Sequence, residues 1–316
     1  MAGHGWTEQD IADQSGRTVL ITGANSGLGL RTAQVLAGKG ARVLLACRSA
    51  ERGARALREV AAAAGTEPEL VRLDLADLAS VRDAAARVRE RTGDALDILV
   101  NNAGLMGTPR GLTADGFETQ FGTNHLGHAA LTWLLMPALR GGTAARVVTV
   151  SSLAARGGRL DLRDPNFEHR RYNPATAYSQ AKLANQVFAA ELDRRLRAAG
   201  EPVLSAAAHP GYSDTGLASA MARSQPSALL RQVIDVGTRL GGLLVAQNAR
   251  MGALPQLYAA TAPGVRGGDY VGPRGPGELR GHPRPVRFVR PALDPALGAG
   301  LWELTAKLTG VTPDPA

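Results

Sequence analysis

Cysteine is nearly absent: Cys47 stands alone in 316 residues. A single thiol closes no internal disulfide, so a packed core must hold the chain, and a reducing, cytoplasmic setting is expected. Lysine is almost as scarce. It occurs only at Lys39, Lys182 and Lys307, although Lys and Arg together number 36. Where arginine supplies nearly every fixed cation, a lysine at 182 suggests a role that a guanidinium cannot fill. Long apolar runs are missing too. No window approaches the ~20 residues of a membrane span, and the N-terminus has no apolar stretch of signal-peptide length, so no membrane partner is expected. Aromatic residues make up 4%, and the basic residues behind the +8 net charge are scattered. Neither suits a nucleic-acid surface. A cofactor with several phosphates would use part of that charge locally.

What is present is a globular composition, 44% hydrophobic, over a length that suffices for one large domain or two small ones. Apolar strand-like runs fall at 17–21, 41–46, 70–73, 95–100, 145–150 and 203–207. Helix-like patterns fall between them at 27–38, 50–64, 78–91, 117–139 and 175–199. Strands without polar alternation, each followed by a helix, predict a parallel sheet covered on both faces. Right-handed crossovers make it a doubly wound α/β sheet, a Rossmann fold. No internal repeat is evident. Beyond Gly211 the regularity weakens: 213–225 is small and polar, 229–246 reads as a helix, 262–292 is rich in Gly, Pro and Arg, and 297–308 reads as a closing helix. No linker precedes this part. It is expected to extend the same domain, a core at 17–215 and a substrate-side extension at 216–316, rather than to form a second one.

Between the first strand and the first helix stands Thr22-Gly23-Ala24-Asn25-Ser26-Gly27-Leu28-Gly29. A helix N-terminus offers unpaired N–H groups and a partial positive charge. Gly23, Gly27 and Gly29 permit a tight turn and close approach of a pyrophosphate. The spacing is Gly-x-x-x-Gly-x-Gly. At the end of the second strand, where the adenosine ribose should lie, stands Ala46-Cys47-Arg48-Ser49, with no carboxylate to hold a 2′-hydroxyl. Arg48 can pair with a 2′-phosphate instead, so NADP(H) is expected over NAD(H).

Far along the chain, Tyr178-Ser179-Gln180-Ala181-Lys182 puts a phenol and an amine on one helical face, at i and i+4. A free phenol, with a pKa near ~10, is a poor base at neutral pH, and a nearby ammonium favours the phenolate. Such a phenol can give a proton to a carbonyl oxygen or take one from an alcohol. Alone, this pair is weak evidence.

Taken together with Asp74-Leu75, Asn101-Asn102-Ala103-Gly104, Asn124, Val150-Ser151-Ser152 and Pro210-Gly211, in this order, the chain resembles the short-chain dehydrogenase/reductases over residues 17–215. It is most similar to their retinol dehydrogenase-like branch. The carrying segments are Asp115-Gly116-Phe117-Glu118, Phe121 through His128, Arg171-Tyr172-Asn173-Pro174 and Ser179 through Asn185. The resemblance implies an oxidoreductase that interconverts a carbonyl and an alcohol by hydride transfer, on a small, apolar substrate. It implies Tyr178 as general acid/base, Ser152 as hydrogen-bond donor to the substrate oxygen, and Lys182 as a ligand of ribose that lowers the tyrosine pKa. Asn124 would hold a water linking Lys182 to solvent. Asp74 and Leu75 would meet adenine, Asn101, Ala103 and Gly104 would line the cofactor cleft, and Pro210, Gly211 and Thr215 would lie near the nicotinamide. Asn25, Ser26 and Leu28 complete the phosphate turn. Ser151 and Ser152 point to opposite faces of a strand, and the family pattern favours the second.

Other expectations follow. Ser152 and Tyr178 are separated by a long link, as in the retinol dehydrogenase-like branch, while the membrane anchor of many animal relatives is not expected here. His125, His128 and His209 raise the question of a metal, and His125 and His128, at i and i+3, are read as structural rather than as metal ligands. Met106, Leu153, Tyr212 and Leu217 are candidates for an apolar pocket. Relatives often pair through the helices at 117–139 and 175–199, so a homodimer is one expectation. Epimerisation, C=C reduction, dehydration or a catalytically silent NADP(H) sensor remain alternatives on the same scaffold.

Overall fold

The computed structural model describes residues 5–64, 67–212 and 247–315. The polar stretch at 213–225, the helix expected at 229–246, and Thr215 and Leu217 lie outside the described residues.

Eight strands form one sheet in the order β3-β2-β1-β4-β5-β6-β7-β8. They are β1 (Thr18–Thr22), β2 (Arg42–Cys47), β3 (Glu69–Arg72), β4 (Ile98–Asn101), β5 (Arg146–Val150), β6 (Leu204–Ala208), β7 (Tyr270–Pro273) and β8 (Pro283–Val286). All pairings are parallel except that of β7 with β8. The sheet is therefore doubly wound, and its strand order reverses between β1 and β4, which opens a crevice at their carboxyl ends. β8, at the edge, carries Pro283 and Pro285, which cannot donate to a further ladder and so blunt the edge.

Alternation along the strands sends side chains to two cores. Leu20, Leu44, Leu99 and Val147 pack on one face, under α3 (Leu78–Thr92) and α5 (Gly127–Gly141). Val19, Ile21, Val43, Leu45 and Val148 pack on the other, with α1 (Gly27–Gly38) and α2 (Ala50–Ala61). That second layer also holds α7 (Ala249–Thr261), an element the sequence reading did not single out. Helix starts are set by local chemistry. Asp77 caps α3 by accepting from Ala79 and Ser80, and Gly93 closes it in the left-handed conformation. Asn173 caps α6 (Pro174–Ala198) by accepting from Ala175 and Thr176, with Pro174 in its first turn.

The stretch expected as one helix over 117–139 is broken in kind. A short α4 (Thr119–Phe121) leads into a π turn, Gly122–Leu126, in which Gly127 N–H reaches back to Gly122 O, and α5 follows. The Gly/Pro/Arg-rich region 262–292 contains β7 and β8, and the closing helix is α8 (Pro295–Thr309). α8 lies across α5 and α6. Its Trp302 stacks on Phe188 at 5.6 Å, meets Trp133 edge-on at 4.8 Å, and has the Arg195 guanidinium 4.7 Å over its ring. Such aromatic pairs contribute about 0.5–1.5 kcal/mol each beyond area burial. α5 and the middle of α6 are buried within the chain itself.

Candidate active site

At the end of β1 the chain turns through Gly23, whose φ is 65°. A Cβ on Gly23 would lie 2.9 Å from Ala103 Cα, and one on Gly29 would lie 2.5 Å from both Gly23 O and Asn102 Nδ2. Only glycine lets the turn, the start of α1 and the segment after β4 meet this closely. Ser26 is the N-cap of α1 but gives the helix no side-chain hydrogen bond. The first-turn N–H groups of Gly27, Leu28 and Gly29 are those a phosphate would take up. Asn25 is half-buried beside them. Thr22 Oγ1 receives the N–H groups of Asn102 and Ala103, each at 2.9 Å, which ties β1 to the cleft wall. Asn102 Nδ2 also donates to Thr22 O at 2.7 Å.

Asn101 is buried, and its amide donates to Thr132 Oγ1 at 2.9 Å, so its side chain ties β4 to α5. Arg48 is exposed directly after β2, beside Ser49, the N-cap of α2. Asp74 accepts from Ala76 N through one oxygen at 3.0 Å, and Leu75 is buried next to it. Ala103 is half-buried and Gly104 exposed.

The second wall comes from β5 and α6. Asn173 and Pro174 fix where α6 begins, so Tyr178 falls one turn into it and Lys182 one turn later. Three hydrogen bonds stitch the strand end to the helix. Ser151 Oγ donates to Lys182 O at 2.7 Å, Lys182 Nζ to Val150 O at 2.9 Å, and Asn185 Nδ2 to Val150 O at 3.2 Å. Ser151 is thus turned into the helix packing. Ser152, next along, is turned toward the Tyr178 phenol, on which its hydroxyl acts, and accepts from Ala154 N at 3.2 Å. Lys182 Nζ is 5.9 Å from the centre of the Tyr178 ring. Burial pushes the phenol up, and the Ser152 hydroxyl pulls it partly back. Burial draws the Lys182 ammonium down to about 8.

Asn124 lies in the π turn, wholly buried. Its Oδ1 accepts from Leu105 N at 2.7 Å and its Nδ2 donates to Leu105 O at 2.9 Å. Gly104 sits between the two walls: a Cβ there would lie 3.4 Å from Asn124 Oδ1 and 3.5 Å from Lys182 Nζ. The structure therefore brings Asn124, Ser152, Tyr178 and Lys182 to one end of the sheet with Gly104 among them. His128 shares this region: its Nδ1 meets Asn124 O at 3.0 Å and its Nε2 meets Thr22 Oγ1 at 2.9 Å. His125 turns elsewhere, to Thr305 Oγ1 of α8 at 2.9 Å. Met106 and Leu153 are half-buried, and Tyr212 is exposed.

Sequence reasoning missed two groups. One anchors the long link: Tyr172 Oη donates to Thr108 O at 2.9 Å, accepts from Gln120 Nε2 at 3.1 Å, and lies 3.2 Å from the buried Glu118. Burial raises the Glu118 carboxyl, and burial with the Glu118 charge pushes Tyr172 up to about 12. The other is built around His209, at the end of β6 before Pro210 and Gly211. Its signal in the sequence was a histidine beside the nicotinamide-side motif. Its partner, Glu278, is 69 residues away.

Comparison with known proteins identifies the family and the fold. Residues 17–226 match the model of the short chain dehydrogenase family. The chain is 37% identical to human retinol dehydrogenase 13 over 299 residues, 94% of this chain and 85% of the relative. It is 39% identical to mouse polyprenol dehydrogenase over 307 residues, 95% and 86% of the two chains. Among solved structures, an uncharacterized protein from Mycobacterium paratuberculosis is 45% identical with a TM-score of 0.79, covering 98% of each chain. Pseudomonas aeruginosa RhlG, solved as an NADP active-site complex, shares the fold at 24% identity with a TM-score of 0.63, over 82% of this chain and 94% of that one.

Proposed function

The chain belongs to the short-chain dehydrogenase/reductase family of oxidoreductases, in its retinol dehydrogenase-like branch, and from that premise we propose that it is an NADP(H)-dependent enzyme interconverting a carbonyl and an alcohol on a small apolar substrate. The observation that carries the proposal is the grouping of the Ser152 hydroxyl, the Tyr178 phenol and the buried Lys182 ammonium at the carboxyl end of β5, beside Gly104. At Gly23 and Gly29 a Cβ would clash with Ala103, Asn102 and the Gly23 backbone, and the tight strand-to-helix turn that only glycine permits there suits a dinucleotide's diphosphate.

Gly23, Asn25, Ser26, Gly27, Leu28 and Gly29 would hold the diphosphate, and Arg48 the 2′-phosphate. Asp74 and Leu75 would border adenine, with Asn101, Ala103 and Gly104 along the wall and Pro210, Gly211 and Thr215 at the nicotinamide end. When bound, the nicotinamide supplies or accepts the hydride. Tyr178 donates its phenolic proton to the substrate oxygen during reduction and recovers one from Lys182 and solvent. In oxidation the same groups work in reverse. Ser152 Oγ donates to the substrate oxygen where negative charge develops. Lys182, with its pKa drawn down to about 8, can lose or regain a proton near neutrality. Asn124 holds the Leu105 backbone and so keeps the wall beside Lys182 in place.

Retinol and polyprenol dehydrogenases among its relatives support an apolar alcohol or aldehyde as substrate. Incubation of the protein with NADPH and a panel of apolar aldehydes and ketones, following cofactor oxidation, tests this reading. Cofactor binding without consumption by any carbonyl would favour the silent-sensor alternative.

A further inference from the structure

The loop at 275–281 has an unusual backbone. Gly277 and Glu278 both take left-handed φ, 62° and 61°. Glycine does so freely. For a glutamate it costs about 1 kcal/mol, so the surroundings must hold it there. The Glu278 carboxylate accepts from Arg156 Nη2 at 2.7 Å and from His209 Nε2 at 2.9 Å. Arg156 also donates through Nη1 to Gly277 O at 3.1 Å.

His209 is wholly buried. Room for its ring exists because β7 has glycine opposite: a Cβ on Gly272 would lie 2.1 Å from Nε2. Its other nitrogen, Nδ1, receives the N–H of Gly211 at 3.2 Å. A backbone N–H only donates, so Nδ1 carries the lone pair. Burial lowers the imidazole to about 4 and keeps it neutral, which leaves its one proton on Nε2, toward Glu278. The same loop grips the turn further. Leu279 O receives Tyr212 N at 2.8 Å and would be 2.4 Å from a Cβ on Gly211. Gln247 bridges the two, donating to Pro210 O at 2.7 Å and accepting from Gly281 N at 3.1 Å.

Three distant segments thus meet at one carboxylate: the 3-10 turn Leu153–Gly157 that follows Ser152, the Pro210-Gly211 turn, and the loop of the C-terminal extension. We propose that Glu278 is a positioning residue, which sets the Pro210-Gly211 turn through His209 and the turn after Ser152 through Arg156, so that the nicotinamide side of the cleft and the donor to the substrate oxygen keep one register. What occupies the cleft rests on the function proposed above. The hydrogen-bonded chain from Gly211 to Arg156 does not.

The test uses the full chain and two kinds of readout. Nitrogen-15 NMR of His209 in the wild type should give the Nε2–H tautomer, and Glu278→Ala should lose it along with the shift of the Gly211 amide. With NADPH and an accepted aldehyde, Glu278→Ala and Glu278→Gly should lower kcat by about ten- to a hundred-fold, the loss expected from a small misplacement of reacting groups. The NADPH dissociation constant should stay within about two-fold, because most of the cofactor's contacts lie elsewhere. Glu278→Gly also removes the backbone strain, so it separates positioning from folding: it should keep the wild-type melting temperature while losing kcat. His209→Asn keeps an acceptor for Gly211 and should retain more kcat than His209→Gln, which does not. An Nδ1–H tautomer in the wild type, or unchanged kcat in both Glu278 variants, overturns the proposal. If the wild type oxidises NADPH with no carbonyl, the functional reading falls, and the tautomer and the Gly211 amide alone decide the role of Glu278.

Discussion

Replacing Lys182 by methionine should make the protein more stable and inactive. The lysine is 4% exposed and hydrogen-bonded through Nζ to Val150 O at 2.9 Å. Burial lowers its pKa from 10.5 to about 8. That difference corresponds to about 3 kcal/mol by which the interior disfavours ammonium relative to amine. Methionine has a similar length and no charge to bury. It forfeits a charge-assisted hydrogen bond worth about 1.5–3 kcal/mol, but Val150 O keeps its bond from Asn185 and is not orphaned. The net expectation is a gain of about 1 kcal/mol near neutral pH. The sign with pH follows from linkage. Between pH 8 and 10.5 the unfolded lysine holds its proton more tightly than the folded one, so wild-type stability rises with pH across that window. Below it the penalty is fully present. Urea unfolding of wild type and Lys182→Met over this range isolates the effect, since other alkaline titrations are common to both. A variant advantage that vanishes early in this window, with wild type the more stable toward pH 10.5 and turnover lost in the variant, supports the reasoning. A variant less stable than wild type at neutral pH, or a difference that does not change with pH, refutes it.

Tyr178→Phe should abolish turnover while leaving NADPH binding within about two-fold, read by nicotinamide fluorescence, because the phenol supplies the proton rather than the cofactor's main contacts. Gly29→Ala should weaken cofactor binding at least about ten-fold, since its Cβ would lie 2.5 Å from Gly23 O and the turn must open to admit it. Acid should destabilise the fold through buried neutral histidines. His128 and His209 each fall from 6.5 to about 4 by burial, so stability is lost as pH falls from 6.5 toward 4, by about 2 kcal/mol per ring at about pH 5. His209→Gln should show a correspondingly smaller loss in denaturant titrations at pH 7.5 and 5. Light scattering should find a monomer across the α5–α6 face, because α8 already covers it; a dimer formed by that face would contradict the packing of Trp302 on Phe188 and Trp133.

Much of the sheet was legible because its strands are apolar on both faces, and both cores bury them. The glycine turn after β1 and the placing of Tyr178 and Lys182 on one helix were legible because local spacing creates them. The π turn at Gly122–Leu126 was not. Its causes lie outside the segment: Asn124 is held by the Leu105 backbone, and Gly127 packs so close to Leu75 O that a Cβ would be 2.4 Å away. β7 and β8 were hidden among Gly, Pro and Arg, since an antiparallel edge of four residues each needs no long apolar run. α7 carries Pro255 inside it and sends Gln256 to Thr32 Oγ1 at 2.6 Å, a role that only the neighbouring α1 reveals. Strand alternation sends the two adjacent serines to opposite faces, and the structure gives each its surroundings: Ser151 bonds Lys182 O and Ser152 lies toward the Tyr178 phenol. The Glu278–His209 contact joins residues too far apart for any spacing rule to find.

The central claim is NADP(H)-dependent hydride transfer, and a parallel titration with NADPH and NADH tests it most directly, followed by nicotinamide fluorescence and thermal stability in wild type and Arg48→Ala. The account predicts at least about ten-fold tighter binding of NADPH in the wild type, a preference that Arg48→Ala reduces or removes. Tighter binding of NADH, or a preference that survives the loss of Arg48, would contradict the assignment of the 2′-phosphate. Binding of neither cofactor would contradict the proposed function as a whole.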